Sequence, residues 1–159
     1  MNFKSKRITR NYRQIINSTP DVIFPLLCPV KEKEWLDGWD CNMIYSESGV
    51  AEPGAVFCTS HQGEKDTVWI ISKHDQLKKA VQFARVTPDS KASLLYIFVL
   101  PKDESSSFVD ITYTYTAISK SGNKSIDEFT EEAFLKMIKF WEDSMNYYLE
   151  NGKKQIRKH

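Results

Sequence analysis

The chain reads as an α+β protein: a curved antiparallel seven-stranded sheet, two short helices after the first strand, and a long C-terminal helix across the sheet. Three observations carry this reading. A strand-like opening leads straight into two proline-punctuated helical turns that end on Trp35 and Trp39. Six more strand-like runs follow, joined by short connections that suit antiparallel neighbours. The chain then closes on an amphipathic helical run, residues 125–151. That order wraps a sheet around an aromatic-lined hollow.

The elements follow in sequence. Residues 6–16 set Ile8, Tyr12 and Ile16 against polar neighbours, as a half-buried strand does. Thr19 is placed to cap a helix, and Pro20 suits its first position. Pro25 lies inside that segment and Pro29 closes it, so the helix is short or distorted. Residues 31–36 form a second turn, stopped by Gly38. Strands are expected at 42–47, 55–61, 67–74, 77–86, 93–100 and 108–117. The last is the clearest: Val109, Ile111, Tyr113 and Tyr115 alternate with Asp110, Thr112, Thr114 and Thr116. Ser125-Ile126-Asp127-Glu128 has the capping-box pattern and Gly152 offers a stop. Between them Phe129, Ala133, Met137, Phe140, Trp141, Ser144 and Tyr148 recur at helical spacing. The sheet is the large partner available to that stripe.

Composition bounds the function. The 159 residues suffice for one domain, residues 1–159, with a core over about 6–150 and a basic tail at 152–159. Aromatic residues are 13% of the chain against an ordinary 41% hydrophobic content, so large side chains fill something. A net charge of +1 gives no reason to expect nucleic acid or another polyanion. No apolar run approaches the roughly 20 residues of a membrane span, and the charged start lacks the apolar segment of a secretory signal. Cys28, Cys41 and Cys58 are scattered without a C-x-x-C spacing, so three reduced thiols in a cytoplasmic protein are expected and a metal site is not. With 6 glycines and no phosphate-cradling loop, no nucleotide cofactor is expected. The chain is expected to be a monomer or a homodimer.

The order of elements resembles the helix-grip fold of the START-like, or SRPBCC, superfamily, which includes the Bet v 1-like proteins, polyketide cyclases and dehydratases, and the Hsp90-activator-like proteins. Its carriers are Ser18-Thr19-Pro20-Asp21-Val22-Ile23-Phe24, Trp35 with Trp39, Pro53-Gly54-Ala55-Val56-Phe57, Thr67-Val68-Trp69 and Tyr113-Thr114-Tyr115-Thr116-Ala117. The resemblance implies a cavity between sheet and C-terminal helix for apolar or aromatic small molecules. It transfers no single activity.

Strand and helix periods turn one aromatic set toward that gap: Trp35, Trp39, Phe57, Trp69, Phe83, Tyr96 and Phe98 from the first six strands and the short helices, then Tyr113, Tyr115, Phe134 and Trp141, with Met137 beside them. These residues either line a ligand pocket or simply pack as core. The polar candidates are His61, near the 62–63 turn, as an acid–base group, and Arg85, on an otherwise apolar strand, as an anchor for a ligand carboxylate. Glu32, Glu34 and Asp37 cluster near the tryptophans, where a carboxylate held beside an apolar pocket would titrate high; the plainer reading is a wet helix face. No catalytic set stands out. Binding, carrying or sensing a small hydrophobic or aromatic molecule ranks first. A cyclase-, dehydratase- or hydrolase-like enzyme using Tyr113, His61 or Arg85 ranks second, and a chaperone-associated interaction module third.

Overall fold

The computed structural model describes residues 2–60 and 63–157. Within them lie β1 (Arg7–Ile16), α1 (Pro20–Leu26), α2 (Pro29–Trp35), β2 (Asn42–Tyr45), β3 (Val56–Thr59), β4 (Thr67–Asp75), β5 (Ala80–Thr87), β6 (Lys91–Pro101), β7 (Ser107–Ala117), α3 (Lys120–Glu128) and α4 (Glu131–Asn151). The strands form one sheet in the order β1-β7-β6-β5-β4-β3-β2, with every neighbouring pair antiparallel. This is the helix-grip arrangement. Two short helices separate β1 from β2, and the C-terminal helix lies over the concave face. Among the described residues no helix is long and apolar enough to cross a membrane.

The period-2 pattern of β7 decides which face is covered. Its odd-numbered residues, Ser107 to Ala117, are all buried, and its even-numbered residues are half-exposed. Two register shifts bend the sheet, one between Met43 and Tyr45 in β2 and one between Ile71 and Lys73 in β4. An extra residue at such a point curves the strand and increases its twist.

The α4 helix buries Phe134, Ile138, Ser144 and Met145. It also closes an edge. The β1 strand has one neighbour, so its outer backbone groups need partners. Ile15 N donates to Glu142 Oε2 at 2.6 Å, Asn146 Nδ2 donates to Ile15 O at 3.0 Å, and Asn17 N donates to Asn146 Oδ1 at 2.8 Å. The buried Gln14 side chain donates to Ile138 O at 3.0 Å.

Two element bounds differ most from the sequence reading. The C-terminal helical run does not start at Ser125: it is two helices broken at Phe129-Thr130. Ser119 caps α3 by accepting from Gly122 N at 3.0 Å, and Thr130 caps α4 by accepting from Ala133 N at 3.1 Å. Ser125 lies within α3, where its hydroxyl accepts from Lys91 Nζ at 2.9 Å. Strand β5 begins at Ala80 rather than 77, because Lys79 takes a left-handed φ of 55° in the turn and Leu77 is almost wholly exposed. Thr19 starts α1 through its carbonyl, which accepts from Val22 N and Ile23 N, and its side chain makes no cap bond.

Candidate functional site: a pocket at one end of the grip

The concave face is built in cross-strand rows. One row runs Trp69–Arg85–Ser93–Tyr115 through β4, β5, β6 and β7, and the next runs Ile71–Phe83–Leu95–Tyr113. Ser93 is the small residue of the first row and leaves the long Arg85 side chain room to lie across its neighbours. The Arg85 guanidinium carbon sits 4.8 Å from the Trp69 ring centre, 5.3 Å from Tyr115 and 5.4 Å from Tyr113. Cations held over aromatic faces in this way are attracted by the ring quadrupole.

Two aromatic groups occupy the space under α4. At one end Phe57 stacks on Trp69 at 5.3 Å, Phe83 meets both edge-on, and Trp39 is edge-on to Trp69 at 6.0 Å. These rings, with Trp141 and Leu95, leave only about 10 Å³ of free space, room for one water at most. In the middle Tyr113 and Tyr115 stack at 5.2 Å, and Phe134 and Trp141 close on Tyr113.

At the other end the grip opens. A pocket of about 360 Å³ lies between the sheet and the α3–α4 corner. Its apolar wall is Tyr115, Ile126, Phe129 and Met137, and its polar wall is Arg85, Lys91, Glu64, Thr67 and Thr87, with Ser125 and Glu128 at the α3 side. The break at Phe129-Thr130 makes this corner. It turns Phe129 edge-on to Tyr115 at 5.2 Å and to Phe134 at 6.2 Å. Larger hollows of about 780 and 700 Å³ lie over residues 48–53 with 72–77 and along the 153–157 segment, and one of about 220 Å³ lies beside α1. None of these three is lined by the concave rows.

The electrostatics follow from burial. Loss of water pushes the Lys91 ammonium down; Glu64, 3.7 Å away, opposes that, and nearby Arg85 adds to it. Burial pushes the Tyr115 hydroxyl up against the pull of Arg85, and pushes Tyr113 well above the usual phenol range. Thr67 and Thr87 share a buried hydroxyl–hydroxyl bond of 2.6 Å. Glu32 borders the filled end with Trp39, Phe57 and Trp141, and its carboxyl is held well above the usual carboxylate range by loss of water.

The aromatic set expected to line a cavity is therefore divided. Tyr115, Met137 and Arg85 border the open pocket. Trp39, Phe57, Trp69, Phe83 and Trp141 border the filled end, and Tyr113 and Phe134 are buried between the two. Trp35 is buried and tied into the short helices, its indole N–H donating to Leu26 O at 2.8 Å. Tyr96 and Phe98 are a correction. They point to the convex face, because Ser93, Leu95, Ile97 and Val99 are the buried residues of β6; Tyr96 lies under the Lys73 ammonium at 5.9 Å. His61 lies outside the described residues. Sequence reasoning passed over Lys91 and Phe129 as site residues. Lys91 follows a polar turn and reads as solvated, and only its parity with Ser93 and Leu95 would have turned it inward.

No protein-family model matches the chain, and no curated protein matches it in sequence. Solved structures do match. Norcoclaurine synthase from Thalictrum flavum, in complex with dopamine and hydroxybenzaldehyde, superposes with a TM-score of 0.68 at 12% identity, covering 95% of this chain and 91% of that one. Ara h 8.0201 gives 0.66 at 13% identity over 92% of this chain and 100% of that one. The Zhui aromatase/cyclase from Streptomyces sp. R1128 gives 0.64 at 6% identity over 94% and 100%. These neighbours are Bet v 1-like members of the START-like superfamily, and the chain has their helix-grip fold.

Proposed function

We propose that the protein binds a small apolar or aromatic molecule in the pocket at the α3–α4 end of the grip. The observation that carries this reading is the pocket itself: about 360 Å³ with one apolar wall and a few convergent polar side chains. Ligand sites have that size and makeup. The structural neighbours add support, since one of them holds the small aromatic molecules dopamine and hydroxybenzaldehyde. Binding is preferred to turnover. The carboxyl that loss of water holds protonated, Glu32, faces the end with about 10 Å³ of space, where no substrate fits without movement of the rings, while Glu64 and Glu128 at the open pocket are paired with Lys91 and Lys124. Three free thiols accord with a reducing, cytoplasmic setting.

The test is a thermal-shift and native mass spectrometry screen with small aromatic and aliphatic compounds. A ligand at 100 times its Kd stabilises the folded chain by about 2.7 kcal/mol, a rise of about 5–11 °C in Tm at this chain length. Met137→Trp places an indole in the pocket and is expected to abolish that rise while leaving the unliganded protein folded. A panel that binds neither the unmodified protein nor the variant, or that binds both equally, rejects the reading.

A further inference from the structure

Charge inside the grip is not balanced by the chain. Arg85 is partly buried and, among the described residues, meets three aromatic rings and no carboxylate. The acids at the pocket are already engaged: Glu64 lies 3.7 Å from Lys91, and Glu128 lies 3.9 Å from Lys124. Lys91 also donates to Ser125 Oγ. Beside Arg85 in the same row, Ser93 Oγ is buried and has no hydrogen-bond partner among the described residues. A cation taken out of water calls for an opposite charge, and a buried hydroxyl calls for a partner.

From this we infer that the pocket takes a molecule with an aromatic or apolar body and a single carboxylate, the carboxylate seated on the Arg85 guanidinium and the body against Tyr115, Phe129 and Met137. The inference rests on the ligand-binding reading above and names the class of ligand. The rings that hold Arg85 fix the plane of its donor fork, which suits two-pronged recognition of a carboxylate. The pocket also argues against a dianion. Glu64 offsets Lys91 and Glu128 offsets Lys124, which leaves Arg85 as the one uncompensated charge, so one further negative charge is complemented and a second is not.

Three probes of one shape decide the matter by isothermal titration: naphthalene-2-carboxylate, naphthalene-2-carboxamide and 2-naphthyl phosphate. On the unmodified protein the carboxylate is expected to bind about tenfold to a hundredfold tighter than the amide, as for a hydrogen bond to a charged group, and the phosphate no tighter than the carboxylate. Arg85→Gln is expected to bring the carboxylate down to the level of the amide without changing the amide, and Arg85→Lys to keep part of the preference. Equal binding of carboxylate and amide by the unmodified protein overturns the carboxylate assignment and leaves the pocket reading standing. Binding of none of the three at millimolar concentration overturns the pocket reading and the assignment with it. The comparison on the unmodified protein needs no variant, so it decides between these outcomes even if the Arg85→Gln chain misfolds.

Discussion

Gly122 sets a test in which two physical rules give opposite signs. It lies in the first turn of α3, the helix that walls the pocket. A glycine inside a helix ordinarily costs about 1 kcal/mol relative to alanine, so Gly122→Ala should stabilise the chain if propensity decides. The packing says otherwise. A Cβ built at Gly122 would stand 1.8 Å from Ser90 O and 2.8 Å from the Ser90 carbonyl carbon, both backbone, and 3.3 Å from Ala117 Cβ. Ser90 cannot easily yield, because its carbonyl accepts from Ile118 N at 2.8 Å and the Ser119 and Ser121 hydroxyls both donate to the adjacent Asp89 O. The helix must therefore lift from the turn. Overpacking costs about 1–3 kcal/mol, and a contact this close with backbone belongs at the upper end, so after the propensity gain the variant is expected to lose about 2 kcal/mol, or about 4–8 °C in Tm. Lys120→Ala, at an exposed position two residues away, adds no such clash and serves as the control. Calorimetry on the two variants reads the difference. A Gly122→Ala protein as stable as the unmodified chain, or more stable, refutes the close approach of α3 to the β5–β6 turn.

Two further outcomes are expected. Glu32 titrates well above the usual carboxylate range in the folded chain, so the folded state holds a proton that the unfolded state has released, and stability must fall as pH rises above the ordinary glutamate range. Glu32→Gln is then expected to be more stable than the unmodified protein at neutral pH and to match it in acid; denaturant titrations that differ equally at both pH values would contradict this. Asn146→Ala removes both bonds that α4 makes to Ile15 O and Asn17 N, at about 1 kcal/mol each. Its urea midpoint should drop accordingly, and hydrogen exchange at Asn17 N should speed up; unchanged exchange there would remove Asn146 as a cover of the β1 edge.

Most of the architecture was legible because particular segments carry strong patterns. In β7 apolar and polar residues alternate without a break over residues 109–117, so its buried face could be read directly. In β6 they do not. Leu94, Tyr96 and Phe98 on one face are as apolar as Leu95, Ile97 and Val99 on the other, and only the pairing with β7 settles which set is covered. The break at Phe129-Thr130 was hidden for a related reason. Ser125-Ile126-Asp127-Glu128 imitates a helix start, while the working caps are Ser119 and Thr130. That break is what shapes the pocket, so the site was less legible than the fold that holds it. Whether a gap between rings is open or full depends on side-chain volumes and angles in three dimensions, which no period in the chain encodes. The Phe57–Trp69–Phe83 group fills its end, while Arg85 and Lys91 face open space at the other.

Nuclear magnetic resonance of the four methionine methyl groups tests the central claim most directly. Met137 lines the pocket, Met145 is buried in α4 away from it, and Met43 lies on the distant β2. In a titration with naphthalene-2-carboxylate the Met137 methyl signal is expected to move and saturate while those of Met43 and Met145 stay nearly still. A Met137 signal that does not move as the probe binds elsewhere, or as nothing binds, contradicts the claim that this corner of the grip is a ligand site.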